Sequence, residues 1–378
     1  MWRSKEGSSA RLLQLCLGYF LFYVITGVTV KYFTGKAELG FPGMQQMEYL
    51  TYSTLGGSAL CVLVVLALRW YRSKSVQLIK WGPFTFPREY TYIIPSGVCT
   101  AVVIPTTTLM YTLPISVMVA MVIMRASVIV ISRAVDAVQI AQGILHKKVY
   151  REENIGVVFA LLAASVQMVW VKPGSFDFMH SNAAVTILSS YIVAYAIRIY
   201  IMNYYKNTRG KGVKQDNRWF FGIEQIAACV TMVAVVLFLV YSPQWLGWSV
   251  KTELGERTVL GVFIDSVIAP RPIWGWATLA GTAFGMVAFF SVFIFMFKGR
   301  TATFAGLVNR LTSLVAGTTA TLVFCLTCRG KFPSLQDWLS LVFILIAVGF
   351  MTVAERKRVA ELVALHEIEA GPTEQAKH

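Results

Sequence analysis

The stretch VMVAMVIMRASVIVISRAVDAVQIAQGILHKKVY, residues 117–150, decides how the chain is read. It opens as a lipid-facing helix would, yet Arg125, Arg133 and Asp136 interrupt it before the basic cluster Lys147–Lys148. A charge at the centre of a membrane span costs about 2.5–3.5 kcal/mol or more unless it pairs, snorkels or faces water. Residues of this kind therefore mark either helix pairing or a polar cavity.

Apolar runs of similar length recur on both sides of this stretch. The 378 residues are 56% hydrophobic and only 14% charged, with a mean hydropathy of +0.61, more apolar surface than one water-exposed core hides. Runs of about 20 residues cross a hydrocarbon layer roughly 30 Å thick, whereas β-barrel spans would be alternating segments of about 9–11 residues. The fold class read from this pattern is an all-α polytopic membrane protein with ten transmembrane helices. They are expected at 12–32, 49–70, 90–112, 115–145, 154–172, 182–205, 218–242, 273–297, 302–327 and 336–354. Gly and Pro residues punctuate the gaps at Gly40–Pro42–Gly43, Gly82–Pro83, Pro114, Pro173–Gly174 and Pro270–Pro272. Residues 243–271 make a longer connection, for which an interfacial segment and a short helix both fit.

A net charge of +15 would point to nucleic acid in a soluble protein. Here the cations sit between the apolar runs, so they read as topology signals and no nucleic-acid partner is expected. About 22 of the 34 Lys and Arg residues fall on the side of the amino terminus, against about 8 on the other, which predicts that both termini are cytoplasmic. Residues 1–11 are then a cytoplasmic amino terminus and 355–378 a cytoplasmic tail; KNTRGKGVKQDNR, 206–218, carries the largest share of the bias. The first run, from Leu12, lacks a small-x-small cleavage site and reads as a retained span. The chain is expected to be integral and multi-pass; Golgi, endoplasmic reticulum and plasma membrane are all compatible with it.

The two halves echo one another. Met124–Arg125 is followed by a helix, a basic turn and IGVVFALLAASVQMVW; Asn309–Arg310 is followed by a helix, the basic turn CRGK and LSLVFILIAVGFMTVA, with the two arginines 185 positions apart. Residues 12–172 and 182–354, joined by a linker at 173–181, therefore read as two five-helix repeats. An odd number of spans inverts the second against the first, as in many transporters.

Within the spans, Arg125, Ser132, Asp136, Gln139 and Gly143 form one helical stripe on the fourth, read as lining a cavity or facing a neighbour. Arg133 lies one position off it and is expected to pair with Asp136 at i+3. On the sixth span Tyr191, Tyr195, Arg198 and Met202 share a face, where tyrosines can stack a base and a guanidinium can grip phosphate oxygens. Glu224 on the seventh is expected to balance Arg198 or to couple protons, and Asp136 to balance charge when the site is empty. Thr106, Thr107, Thr108 and Tyr111 on the third span, and Tyr19, Tyr23 and Thr26 on the first, are weaker candidates. Arg125, Arg198 and Arg310 against few acids predict an electropositive cavity that favours an anion.

The chain resembles the drug/metabolite transporter superfamily, and within it the nucleotide-sugar transporter-like branch. The resemblance lies in the ten spans, the inverted repeat, TFAGLVNRLTSLVAGTTATLVF at 303–324, FPSLQDWLSLVFILIAVGF at 332–350, and MRASVIVIS and GILHKKVY in the first half. The Gly-Ala-Leu-Asn-Lys signature of GDP-sugar carriers is absent. The resemblance implies an alternating-access carrier or antiporter for a nucleotide sugar or related nucleotide conjugate, with Arg125, Arg310, Asn309, Arg198, Tyr191 and Tyr195 binding solute.

His146, His180, His366 and His378 all fall in loops or the tail, and no Walker motif occurs. No enzymatic activity, cofactor or metal is expected. The expected partners are a small anionic solute and the lipid bilayer, with homodimer formation left open. Two other readings are an exporter of amino acids or other small metabolites, and a non-transporting scaffold or receptor whose charges serve helix pairing.

Overall fold

The computed structural model describes residues 8–72, 78–112, 117–146, 149–166, 182–208, 215–252, 255–328 and 332–370. The 173–181 linker, Lys147–Lys148, the Pro114 junction and the end of the tail lie outside the described residues. Among those described are eleven α-helices: α1 Ser9–Phe33, α2 Gln46–Ala67, α3 Tyr90–Thr112, α4 Val117–Ala141, α5 Arg151–Ser165, α6 Asn182–Asn207, α7 Asn217–Leu246, α8 Val259–Ile268, α9 Trp274–Phe295, α10 Ala302–Cys328 and α11 Leu335–Ala370.

Seven of them, α1, α2, α6, α7, α9, α10 and α11, are long and apolar enough to cross a membrane by length and composition. The chain is an all-α polytopic membrane protein. The other three expected spans coincide with α3, α4 and α5. Of these, α5 is described over 15 residues only, and α4 carries Arg125, Arg133 and Asp136.

One connection departs from the sequence reading and another selects between its alternatives. The segment 71–89, expected as a plain loop, contains an antiparallel hairpin of β1 Leu78–Trp81 and β2 Phe84–Pro87. Gly82, at φ +59°, supplies the left-handed backbone its two-residue turn needs. In 243–271 the short-helix alternative holds: α7 runs on through Pro243 to Leu246, and Thr258 caps α8 by accepting from Gly261 N at 3.1 Å.

The membrane helices approach closely where side chains are small, since lipid gives no hydrophobic drive for helices to associate. A Cβ on Gly56 would stand 1.8 Å from Thr278 O, and one on Gly281 would stand 2.3 Å from Ser53 O, so α2 and α9 meet backbone to backbone. The α4–α10 crossing is similarly tight, with Ser132 Oγ only 2.2 Å from where a Gly306 Cβ would lie. The main packing partners are α2 with α9, α3 with α6 and α7, α1 with α9 and α10, α4 with α6 and α10, and α5 with α11.

One end of the bundle is fixed by Ser9 Oγ on α1, which donates to Glu355 Oε1 on α11 at 2.8 Å. The opposite end is marked by Lys31 Nζ on α1, which donates to Thr321 Oγ1 on α10 at 2.6 Å. These two contacts mark the amino-terminal end of the bundle and the end far from it.

Candidate functional site

The sequence nominates three arginines, and the fold treats them differently. Arg198 on α6 is buried, and its guanidinium forks onto Glu224 of α7, Nε to Oε1 at 2.9 Å and Nη2 to Oε2 at 3.2 Å. Glu224 Oε1 also accepts from Ser96 Oγ at 2.7 Å and Thr100 Oγ1 at 3.2 Å, both on α3. The carboxylate is completely enclosed. A bidentate, fully hydrogen-bonded pair is the arrangement that makes two buried charges tolerable. Glu224 thus pairs with Arg198, and Arg198 is held in a three-helix junction.

Arg310 on α10 has no such partner. Its Nη2 donates to Tyr195 Oη on α6 at 2.7 Å, and its guanidinium lies 5.2 Å from the centre of the same ring. Its Nε is buried with no hydrogen-bond partner, and no carboxylate lies within 4.0 Å among the described residues. A cation–π contact with a tyrosine contributes about 0.5–2 kcal/mol but leaves the positive charge uncancelled. Arg125 on α4, half-buried, makes no hydrogen bond or ion pair among the described residues. Its Nη2 rests over Gly317 of α10, 3.6 Å from where a Cβ would be.

Tyrosines surround these two cations in matched pairs. Tyr191 and Tyr195 on α6 have ring centroids 5.2 Å apart; Tyr19 and Tyr23 on α1 have centroids 5.5 Å apart. Tyr191 Oη donates to Met124 O at 3.3 Å, next to Arg125, and Tyr19 Oη donates to Asn309 Oδ1 at 3.5 Å, next to Arg310. Asn309 in turn donates through Nδ2 to Ser291 Oγ on α9 at 3.0 Å. Tyr19 lies within electrostatic reach of both Arg125 and Arg310. The fold thus brings Arg125, Arg310, Asn309, Tyr191 and Tyr195 together, adds Tyr19 and Tyr23, and keeps Arg198 with its acid.

The polar stripe on α4 mostly faces neighbouring helices rather than a cavity. Ser132 bonds its own helix at Val128 O, 2.8 Å away, and Gln139 Nε2 donates to Tyr200 O of α6 at 3.2 Å. Asp136 does not pair with Arg133. Its carboxylate accepts from Ala302 N at 2.8 Å and Thr303 N at 2.6 Å, and from Asn203 Nδ2 at 3.2 Å. The reason is that the first N–H groups of α10 have no partner within their own helix and carry its positive dipole end. Arg133 instead donates to Asn154 Oδ1 at 3.0 Å. Thr106 and Thr107 bond back to Val102 O and Val103 O, each at 2.7 Å.

Around Asp136 the amino-terminal end is closed by a charged network that sequence reasoning took for topology signals and a tail. Arg300, in the turn before α10, forks onto Glu355 of α11. Arg358 bridges Glu153, 3.3 Å away on α5, and Glu361, 3.0 Å away, and stacks over Tyr150. Thr301 Oγ1 donates to Glu153 Oε2 at 2.9 Å, and Lys357 pairs with Glu152. Burial pushes the Glu153 carboxyl above its usual range against the pull of Thr301 and Arg358. The hydrogen bond from Lys357 draws the exposed Glu152 carboxyl below its usual range. The signal for this network was present as Glu152–Glu153 facing the ERKR run at 355–358.

No family model matches the chain, and no curated protein matches it. Among solved structures, a crystal structure of a protein with no function in its name has a TM-score of 0.55 at 13% identity, covering 93% of this chain and 99% of that one. The likeness shows a shared fold across nearly the whole chain.

Proposed function

We propose that the protein is an alternating-access secondary carrier of an organic anion, with Arg125 and Arg310 as its binding cations. The observation that carries this is the pair of guanidiniums without carboxylates: among the described residues, half-buried Arg310 has an enclosed Nε without a hydrogen-bond partner and bonds only to Tyr195, and Arg125 is unpaired. A cation partly enclosed between membrane helices without a fixed acid favours an anion from solution. A scaffold that used charge only to pair helices would treat both as it treats Arg198.

The packing supports an inverted pair of five-helix repeats, in which α1 to α5 correspond to α6, α7, α9, α10 and α11. Exchanging corresponding helices turns α1–α10 into α6–α4, α2–α9 into α7–α3 and α1–α9 into α6–α3, all of which pack together, while α4–α10 and α5–α11 map onto themselves. The tyrosine pairs follow the same rule, since one offset relates Tyr19 to Tyr191 and Tyr23 to Tyr195. Asn309 and Met124, their bonding partners, are related as Arg310 and Arg125 are.

In this reading the ten helices span the membrane with both chain ends cytoplasmic, the site lies near the midplane, and the repeats rock about it. The ionic network at the amino-terminal end serves as the cytoplasmic gate, and solute approaches Arg310 from the far end. An empty cationic site reorients poorly, so the carrier works by exchange. The family resemblance directs the choice of solute to nucleotide sugars and related nucleotide conjugates, with tyrosine faces for the base and arginines for phosphate. Purified protein in liposomes preloaded with nucleotides and offered labelled nucleotide sugars, other organic anions and neutral solutes tests the proposal. Counterflow restricted to anions is expected; transport of neutral solutes alone would refute it.

A further inference from the structure

We propose that Lys31 forms an outer phosphate subsite with Arg125, so that the carrier selects solutes with two linked phosphates over one. The inference rests on the anion-carrier reading above and assigns a role to a residue outside the arginine–tyrosine cluster. Lys31 stands in the last turn of α1, half-buried, and reaches across to α10 where its Nζ donates to Thr321 Oγ1 at 2.6 Å. A lysine that served only to anchor a span would extend its ammonium outward to the headgroups. This one is held between two helices, with one of its three donors satisfied by Thr321.

Its place on α10 is what ties it to the site. One turn before Thr321 is Gly317, over which Arg125 Nη2 rests, and two turns before that is Arg310. Three cations from α1, α4 and α10 are thus registered along α10 at 321, 317 and 310. At 1.5 Å per residue the rungs are about 6 Å and about 10.5 Å apart. The upper rung matches the scale of two linked phosphates; the lower reaches the tyrosines. No carboxylate lies within 4.0 Å of Lys31 Nζ among the described residues. Asp337, within electrostatic reach, has its Oδ2 occupied by Ser334 N at 2.8 Å and Ser334 Oγ at 2.9 Å. Lys31 is also at the end away from the ionic network, so a solute entering from that end meets it before Arg310.

Equilibrium binding of uridine diphosphate and uridine monophosphate to the full-length protein in lipid nanodiscs tests this, with wild type, Lys31→Gln and Lys31→Arg compared. Loss of one charge-assisted hydrogen bond should raise the diphosphate Kd of Lys31→Gln about tenfold and leave the monophosphate Kd within about twofold, while Lys31→Arg keeps the preference. Wild type that binds both nucleotides while Lys31→Gln retains the full diphosphate preference overturns the assignment of Lys31 alone. Wild type that binds neither overturns the anion reading and this proposal with it.

Discussion

Arg198, buried on α6, and Arg310, half-buried on α10, are both membrane-helix arginines, yet one is a closed structural unit and the other an open one. Arg198 meets Glu224 through two hydrogen bonds, with Ser96 and Thr100 filling out the same carboxylate. Arg310 meets a tyrosine hydroxyl and ring, and its Nε has no partner. On the proposed function, a charge inside the membrane marks a binding site only where the fold withholds the counter-ion.

The sharpest way to break this comparison is to remove one member of the closed pair. Arg198→Ala leaves Glu224 buried and alone, at a cost of about 3–5 kcal/mol, and should appear as loss of folded protein in detergent melting. Arg198→Met with Glu224→Met should restore most of that stability and keep transport, because no solute contact is lost. Equal destabilisation in the single and double variants would show that the pair is not a self-contained unit.

Arg310→Gln should do the reverse, with melting close to wild type and anion uptake falling about ten- to hundredfold, the worth of a charged hydrogen bond or two. Smaller again is Tyr195→Phe, which keeps the ring under Arg310 and deletes its hydroxyl. Uptake should fall about three- to tenfold with the KM for the anion raised, and an unchanged KM would remove Tyr195 from the site.

The smallest effect concerns the ionic end. Glu152 has its carboxyl held below the unfolded value by Lys357, so its contribution to stability is complete above the unfolded pKa and is lost as pH falls through the lower folded one. Lys357→Met should flatten that part of the acid-side melting profile, between about pH 3 and 5. A profile identical to wild type would mean that this exposed pair contributes nothing.

Most of the helical frame was legible because apolar runs of span length have few other uses. The hairpin at 78–87 was not, since two four-residue strands around Gly82–Pro83 look like any punctuated loop. The helical period correctly put Asp136 on one face with Arg125, but it could not say what that face meets. Asp136 binds backbone N–H groups of residues 302 and 303, and a backbone donor leaves no side-chain pattern to read. The i+3 spacing made Arg133 the obvious partner, and a distant helix terminus displaced it. Tyr19 and Tyr23 were visible only as a faint face on the first span; the offset that matches them to Tyr191 and Tyr195 is 172 residues, not the 185 that relates Arg125 to Arg310, so the arginine echo did not reveal them. Lys31 carried no signal beyond its place at the end of a span, because its partner Thr321 lies on a helix far away in sequence.

The unpaired arginine is the centre of the proposed site, and its most direct test is nucleotide counterflow into proteoliposomes measured side by side for Arg310→Gln and the Arg198→Met, Glu224→Met double variant at matched protein levels. The expected result is loss of exchange in the first and near-normal exchange in the second. Normal exchange in Arg310→Gln, or loss only in the double variant, would contradict it.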